Sequence, residues 1–99
     1  MYGLVGKFTA HAGKREELIS VLAAASRGLP GCLSYIVARD ATDADTLWVT
    51  EVWDAADSHA ASLQLPAVQQ AIQQARPWIL GIERVATTEP VAGLGLDEP

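Results

Sequence analysis

The sequence predicts an α+β domain built on one antiparallel sheet, and three observations carry that prediction. Segments rich in β-branched and aromatic residues alternate with segments of helical period, in the order strand, helix, strand, strand, helix, helix, strand. A short polar stretch, residues 40–45, is all that separates the second strand from the third, which calls for a hairpin rather than a crossover. The chain has 99 residues, too few for two parts that each bury an adequate core.

The first strand is expected over residues 2–10, where Val5, Phe8 and Thr9 precede a break at Gly13. From residue 14 onward Leu18, Val21, Leu22, Ala25 and Leu29 recur at steps of three and four, with Glu16 and Glu17 crowding the start. That pattern predicts an amphipathic helix stopped by Gly28, Pro30 and Gly31. Residues 32–40, centred on Tyr35, Ile36 and Val37, and residues 46–53 then form the hairpin. Alternation along the latter sets Leu47, Val49, Glu51 and Trp53 on one face and Trp48, Thr50 and Val52 on the other. Both faces are partly apolar, so both are expected to be covered, Trp48 by packing against a second subunit.

Asp54 and Asp57 suit the start of a short helix running to about residue 64, with Asp54 as its cap. Pro66 fits the first turn of another helix, whose stripe is Val68, Ala71, Ile72, Ala75 and Ile79 until Pro77 kinks or ends it. A last strand is expected over residues 82–88, and residues 90–99 form a non-helical extension beyond a domain of residues 1–89. A βαβ unit split around a hairpin is the ferredoxin-like arrangement, with the helices on one face of the sheet. Covering only roughly 400 Å² of the other face would be worth about 10 kcal/mol before association costs, which predicts a homodimer joined face to face.

Composition narrows the function. Hydrophobic residues make up 49% and charged residues 19%, with a formal net charge of -5, so neither nucleic acid nor an anionic membrane is an expected partner. Cys32 is the only cysteine, which excludes an intrachain disulfide and suits a reducing cytoplasm. No basic leader and no continuous apolar run of about 18 residues is seen. Gly3, Gly6 and Gly13 make no dinucleotide fingerprint, and no cysteine pair or clustered metal-ligand signature occurs.

Three blocks carry a resemblance that covers nearly the whole chain: Gly13-Lys14-Arg15-Glu16-Glu17-Leu18, Gly31-Cys32-Leu33-Ser34-Tyr35, and Glu51-Val52-Trp53-Asp54 with His59 and Ser62-Leu63 behind it. In these, and in Arg76-Pro77 followed by Ile79, the sequence resembles the antibiotic biosynthesis monooxygenase superfamily and its quinol monooxygenase-like members. The resemblance implies a ferredoxin-like domain paired into a dimeric α+β barrel. It also implies oxidation of a small hydroquinone or polycyclic phenol to a quinone by O₂, with no flavin, haem or metal cofactor. The haem-degrading branch carries a second Trp, a His and an Asn that fall near Ser62, Ile72 and Gly6 here, and none is the required residue.

Such chemistry needs a base, an apolar pocket and one or two hydrogen-bond donors. His59 is the candidate base, since imidazole titrates near pH ~6.5 and this residue shares a helix face with Ala56, Ser62 and Leu63. Trp53, which matches the recurrent family tryptophan, and Trp78, Tyr35 and Arg76 are candidates for substrate binding. Glu51 is expected to orient His59 or to pair with Arg39 or Arg84 across the sheet, because a carboxylate between Val49 and Trp53 needs a partner. Cys32 reads as a small apolar filler and His11 as an exposed turn residue. The alternative is a non-catalytic dimeric barrel that binds a small aromatic ligand or acts in a stress response.

Overall fold

The structure, a computed structural model, describes residues 1–96. Its elements run β1 (Tyr2–Ala10), α1 (Arg15–Ala25), β2 (Cys32–Arg39), β3 (Thr46–Trp53), α2 (Ala56–Ser62), α3 (Pro66–Ala75), a 3-10 turn (Arg76–Trp78) and β4 (Ile79–Thr88). The sheet has the order β2-β3-β1-β4 and is antiparallel throughout, which is the expected ferredoxin-like topology. The last three residues of the predicted extension lie outside the described residues.

Strand register decides which residues meet. Leu4 lies opposite Glu51, Gly6 opposite Val49 and Phe8 opposite Leu47, so the even positions of β1 share a face with the odd positions of β3. Tyr35 and Val37 of β2 join that face opposite Glu51 and Val49. Helices pack only here, where Ala10, Leu18, Leu47, Val49 and Ala75 form the buried core and Phe8, Ile19, Leu22, Val37 and Trp78 pack around it. Arg15 ties the start of α1 to the hairpin by donating to the carbonyls of Asp43 at 2.9 Å and Thr46 at 3.2 Å.

Three sequence expectations are corrected. The α1 helix stops at Ala25, and residues 26–28 form a turn, with Gly28 at a φ of 70°. Asp54 does not cap α2: the helix begins at Ala56 after an extended Ala55, and Asp54 instead accepts from the Ser58 hydroxyl at 2.5 Å. Ile79 is not on α3 but opens β4, three residues ahead of the expected strand start, because Pro77 closes the helix through a 3-10 turn that runs straight into the strand.

Gly31 shows why α2 sits where it does. Its φ is 81°, and a Cβ there would lie 2.6 Å from the Ser58 side chain, so only glycine lets β2 begin this close to the helix. The Asp54 N–H donates to the Gly31 carbonyl at 2.9 Å, fastening the entry of α2 to the entry of β2.

Candidate functional site

Between the helices and the sheet lies a cavity of about 340 Å³. Its floor is Phe8, Tyr35, Glu51, Trp53, Ile82 and Arg84 from the strands, and its walls are Leu22 and Leu29 from the α1 side, His59, Ser62 and Leu63 from α2, and Val68, Ile72 and Ala75 from α3. A larger groove of about 480 Å³ between α1 and α3 holds only alanines, Ser20, Val21, Gln70 and Gln74. It presents no ionisable group, so the smaller cavity is the one equipped for chemistry.

The polar end of that cavity is built from β3 and α2. Trp53, 1% exposed, donates its indole N–H to Glu51 Oε1 at 2.9 Å. The same oxygen faces His59 Nε2 at 3.9 Å, with the two side chains 16% and 15% exposed. The imidazole lies against two aromatic rings, edge-on to Trp53 at 5.3 Å between centroids and tilted against Tyr2 at 5.9 Å. Ser62 turns its buried hydroxyl back to the His59 carbonyl at 2.7 Å, which stiffens the turn carrying the histidine.

Tyr35 stands directly across the hairpin from Glu51. Burial, and next to it the negative charge of Glu51 and the neighbouring Cys32 thiol, push its phenol well above the usual tyrosine range. At neutral pH it therefore keeps its proton and is able to donate a hydrogen bond. Burial likewise pushes the Cys32 thiol up, and its Sγ donates to the Ser34 carbonyl at 3.6 Å, which keeps it a protonated, poor nucleophile.

Four of the candidate residues, His59, Glu51, Trp53 and Tyr35, thus converge on one end of one cavity. Trp78 and Arg76 do not. Trp78 packs against the core, and its carbonyl accepts from the His11 N–H at 2.9 Å. Arg76 lies in a shallow outer groove with Gln69 and Gln73, on the far side of Leu63 and Ile72 from the cavity. The expected pairing of Glu51 with Arg39 is replaced by a fork from Arg39 to Glu16, at 2.8 and 2.6 Å, because α1 brings that carboxylate over the end of β2. Arg84 makes no ion pair among the described residues. Trp48 lies on the opposite face of the sheet, where it donates to Asp40 Oδ1 at 2.8 Å and lies 5.8 Å beneath the Lys7 ammonium. That bond, with the Asp43 and Thr42 N–H groups, holds the Asp40 carboxyl well below the usual range.

Sequence reasoning missed Phe8, Ile82 and Arg84 as cavity residues. Period-two alternation in β1 and β4 was the available signal, since all three project to the helix side. Among the described residues no three His, Cys, Asp or Glu side chains cluster as metal ligands would.

The family model of the antibiotic biosynthesis monooxygenases matches residues 1–74, which include β1 to α2 and with them Tyr35, Glu51, Trp53 and His59. The chain belongs to that family. Comparison with curated proteins yields no match. Among solved structures, a proposed antibiotic biosynthesis monooxygenase from Chloroflexus aurantiacus J-10-fl superposes with a TM-score of 0.92 at 49% identity, covering 97% of this chain and 98% of that one. A second, from Deinococcus radiodurans, has a TM-score of 0.77 at 25% identity over 99% and 100% of the two chains. A third, from Nitrosomonas europaea, at 14% identity and a TM-score of 0.79 over 93% and 100%, shares the family fold.

Proposed function

We propose that this family member is a cofactor-independent monooxygenase that oxidises a small hydroquinone or polycyclic phenol to a quinone with O₂. The observation that carries the reading is the His59–Glu51–Trp53 cluster at the polar end of an otherwise apolar cavity, with the protonated Tyr35 beside it. Such a cavity takes a flat aromatic ring and leaves one end for its hydroxyl.

His59 takes the hydroxyl proton, and the Glu51 carboxylate opposite Nε2 stabilises the imidazolium that results. Trp53 keeps Glu51 aimed at the histidine by donating to the same oxygen. The phenolate passes one electron to O₂, the two radicals combine in a new carbon–oxygen bond, the His59 imidazolium returns its proton to the resulting peroxide, and the O–O bond then breaks as water leaves with the ring C–H proton. In sum a phenol and O₂ give a quinone and water, and a hydroquinone and O₂ give a hydroxyquinone and water. Tyr35 donates to the developing quinone oxygen, and the apolar walls exclude competing water.

Oxygen uptake by metal-free protein with a panel of naphthols and naphthohydroquinones tests this. Uptake above buffer autoxidation that falls about 10²-fold or more in His59→Ala, the range of a lost general base, is the expected result. No acceleration across the panel leaves the aromatic-binding barrel as the better account, and uptake unchanged in His59→Ala places the base elsewhere. We further infer that two copies pair through the uncovered sheet face, where Ile36, Trp48 and Val52 stand together.

A further inference from the structure

Among the described residues Arg84 is the one Lys or Arg that lines the cavity, and it stands on β4, two strands away from the β3 end where His59 sits. It lies across from Gly6 on β1, while Glu51 lies across from Leu4 on the other edge of the same strand. Two strand spacings, roughly 10 Å, therefore separate Arg84 from the His59–Glu51 end, the span of two or three fused rings. Ile82, two residues earlier on the same face, supplies an apolar surface between them.

The guanidinium is uncommitted. Among the described residues Arg84 makes neither an ion pair nor a side-chain hydrogen bond, although the chain carries 12 acidic residues against 7 basic ones. Arg39 and Arg15, by contrast, are both engaged, with Glu16 and with hairpin carbonyls. Neighbouring Glu83 lies opposite Lys7 and projects to the other face of the sheet. An exposed cation at the rim of an apolar cavity, in a protein of net charge -5 that otherwise repels anions, is a local attractor for negative charge.

We propose that Arg84 selects substrates bearing a carboxylate at the end remote from the hydroxyl that His59 deprotonates, so that the substrate is an aromatic hydroxy acid rather than a neutral quinol. This rests on the oxygenase reading of the cavity for the word substrate, but binding alone tests it. A guanidinium grips a carboxylate through two parallel hydrogen bonds, and its orientation turns the hydroxyl end of the ring toward His59.

The test compares a hydroxynaphthoic acid with the naphthol that lacks the carboxylate, by fluorescence titration under argon. Native protein is expected to bind the acid about tenfold more tightly, a preference that shrinks with added salt. Arg84→Gln should abolish the preference, and Arg84→Lys should keep part of it. Equal affinities in native protein, failure of the acid to bind at millimolar concentration, or an equal loss for both probes in Arg84→Gln would each overturn the proposal. Oxygen uptake separates the two readings. A carboxylate preference without uptake sinks the oxygenase and leaves Arg84 as an anion selector, whereas oxidation of the neutral naphthohydroquinone at the rate of its carboxylated form, unaltered in Arg84→Gln, sinks only the selector.

Discussion

On the helix side of the sheet Leu47 and Val49 are 0% and 1% exposed, while on the reverse side of the same hairpin Ile36 is 57% exposed and Trp48 half-buried. Residue type does not separate the two sides, for each carries branched aliphatic residues and a tryptophan. The helices do. Leu18 from α1 and Ala75 from α3 close over Leu47 and Val49, whereas among the described residues no helix closes over Ile36, Trp48 and Val52. Apolar surface of equal quality therefore serves two ends: one side holds the fold together and frames a cavity, and the other remains available to a second copy.

That contrast breaks most sharply on stability. Leu47→Ala should cost about 2–5 kcal/mol in urea denaturation, since it opens a cavity in a fully covered core. Ile36→Ala, measured at a concentration where the chain is monomeric, should stay within about 0.5 kcal/mol. Equal costs at the two positions would mean that the exposed face is covered within one chain.

A smaller but qualitative effect concerns assembly. Light scattering should give a mass near twice 10.5 kDa for native protein and the single-chain mass for Ile36→Glu, with helix content unchanged. A native monomer at micromolar concentration would end the idea that the bare face pairs.

The smallest expected effect lies within the covered face. Tyr35 has its phenol pushed up by burial and by Glu51, whereas an unfolded chain titrates tyrosine near pH ~10. Because the folded value is raised, the stability tied to the neutral phenol is complete below the unfolded value and is lost as pH rises through it toward the folded one. Ultraviolet titration should therefore show Tyr35 ionising only as the fold opens, and Tyr35→Phe should unfold at higher pH than native protein. A Tyr35 that titrates like a free phenol in the folded state would place it outside the cavity.

Much of the fold was legible in the chain. The hairpin and the alternation along β3 are local properties, governed by neighbours within a few residues, and they appear where expected. The end of α3 was read less well. A stripe that reaches Ile79 at helical spacing also suits the first inward position of a strand, and only Pro77 and the pairing of Ile79 with Ala10 resolve which. Site residues divide in the same way. Glu51 and Trp53 could be assigned to one face from alternation alone, and His59 to a face of its short helix. Nothing local could say that Arg39 would turn to Glu16, that Trp78 would pack against the core, or that Arg84 would stand across the cavity from His59.

The sequence by itself determined the order of elements, the two faces of β3 and the set of residues able to do acid–base chemistry, because periodicity and side-chain chemistry are carried by the chain wherever it lies. Only the tertiary structure decided which of two similar apolar faces the helices cover, and which distant residues share the cavity. Those outcomes depend on strand register and on the docking of α1, α2 and α3, contacts between residues far apart in sequence that leave no periodic mark on either partner.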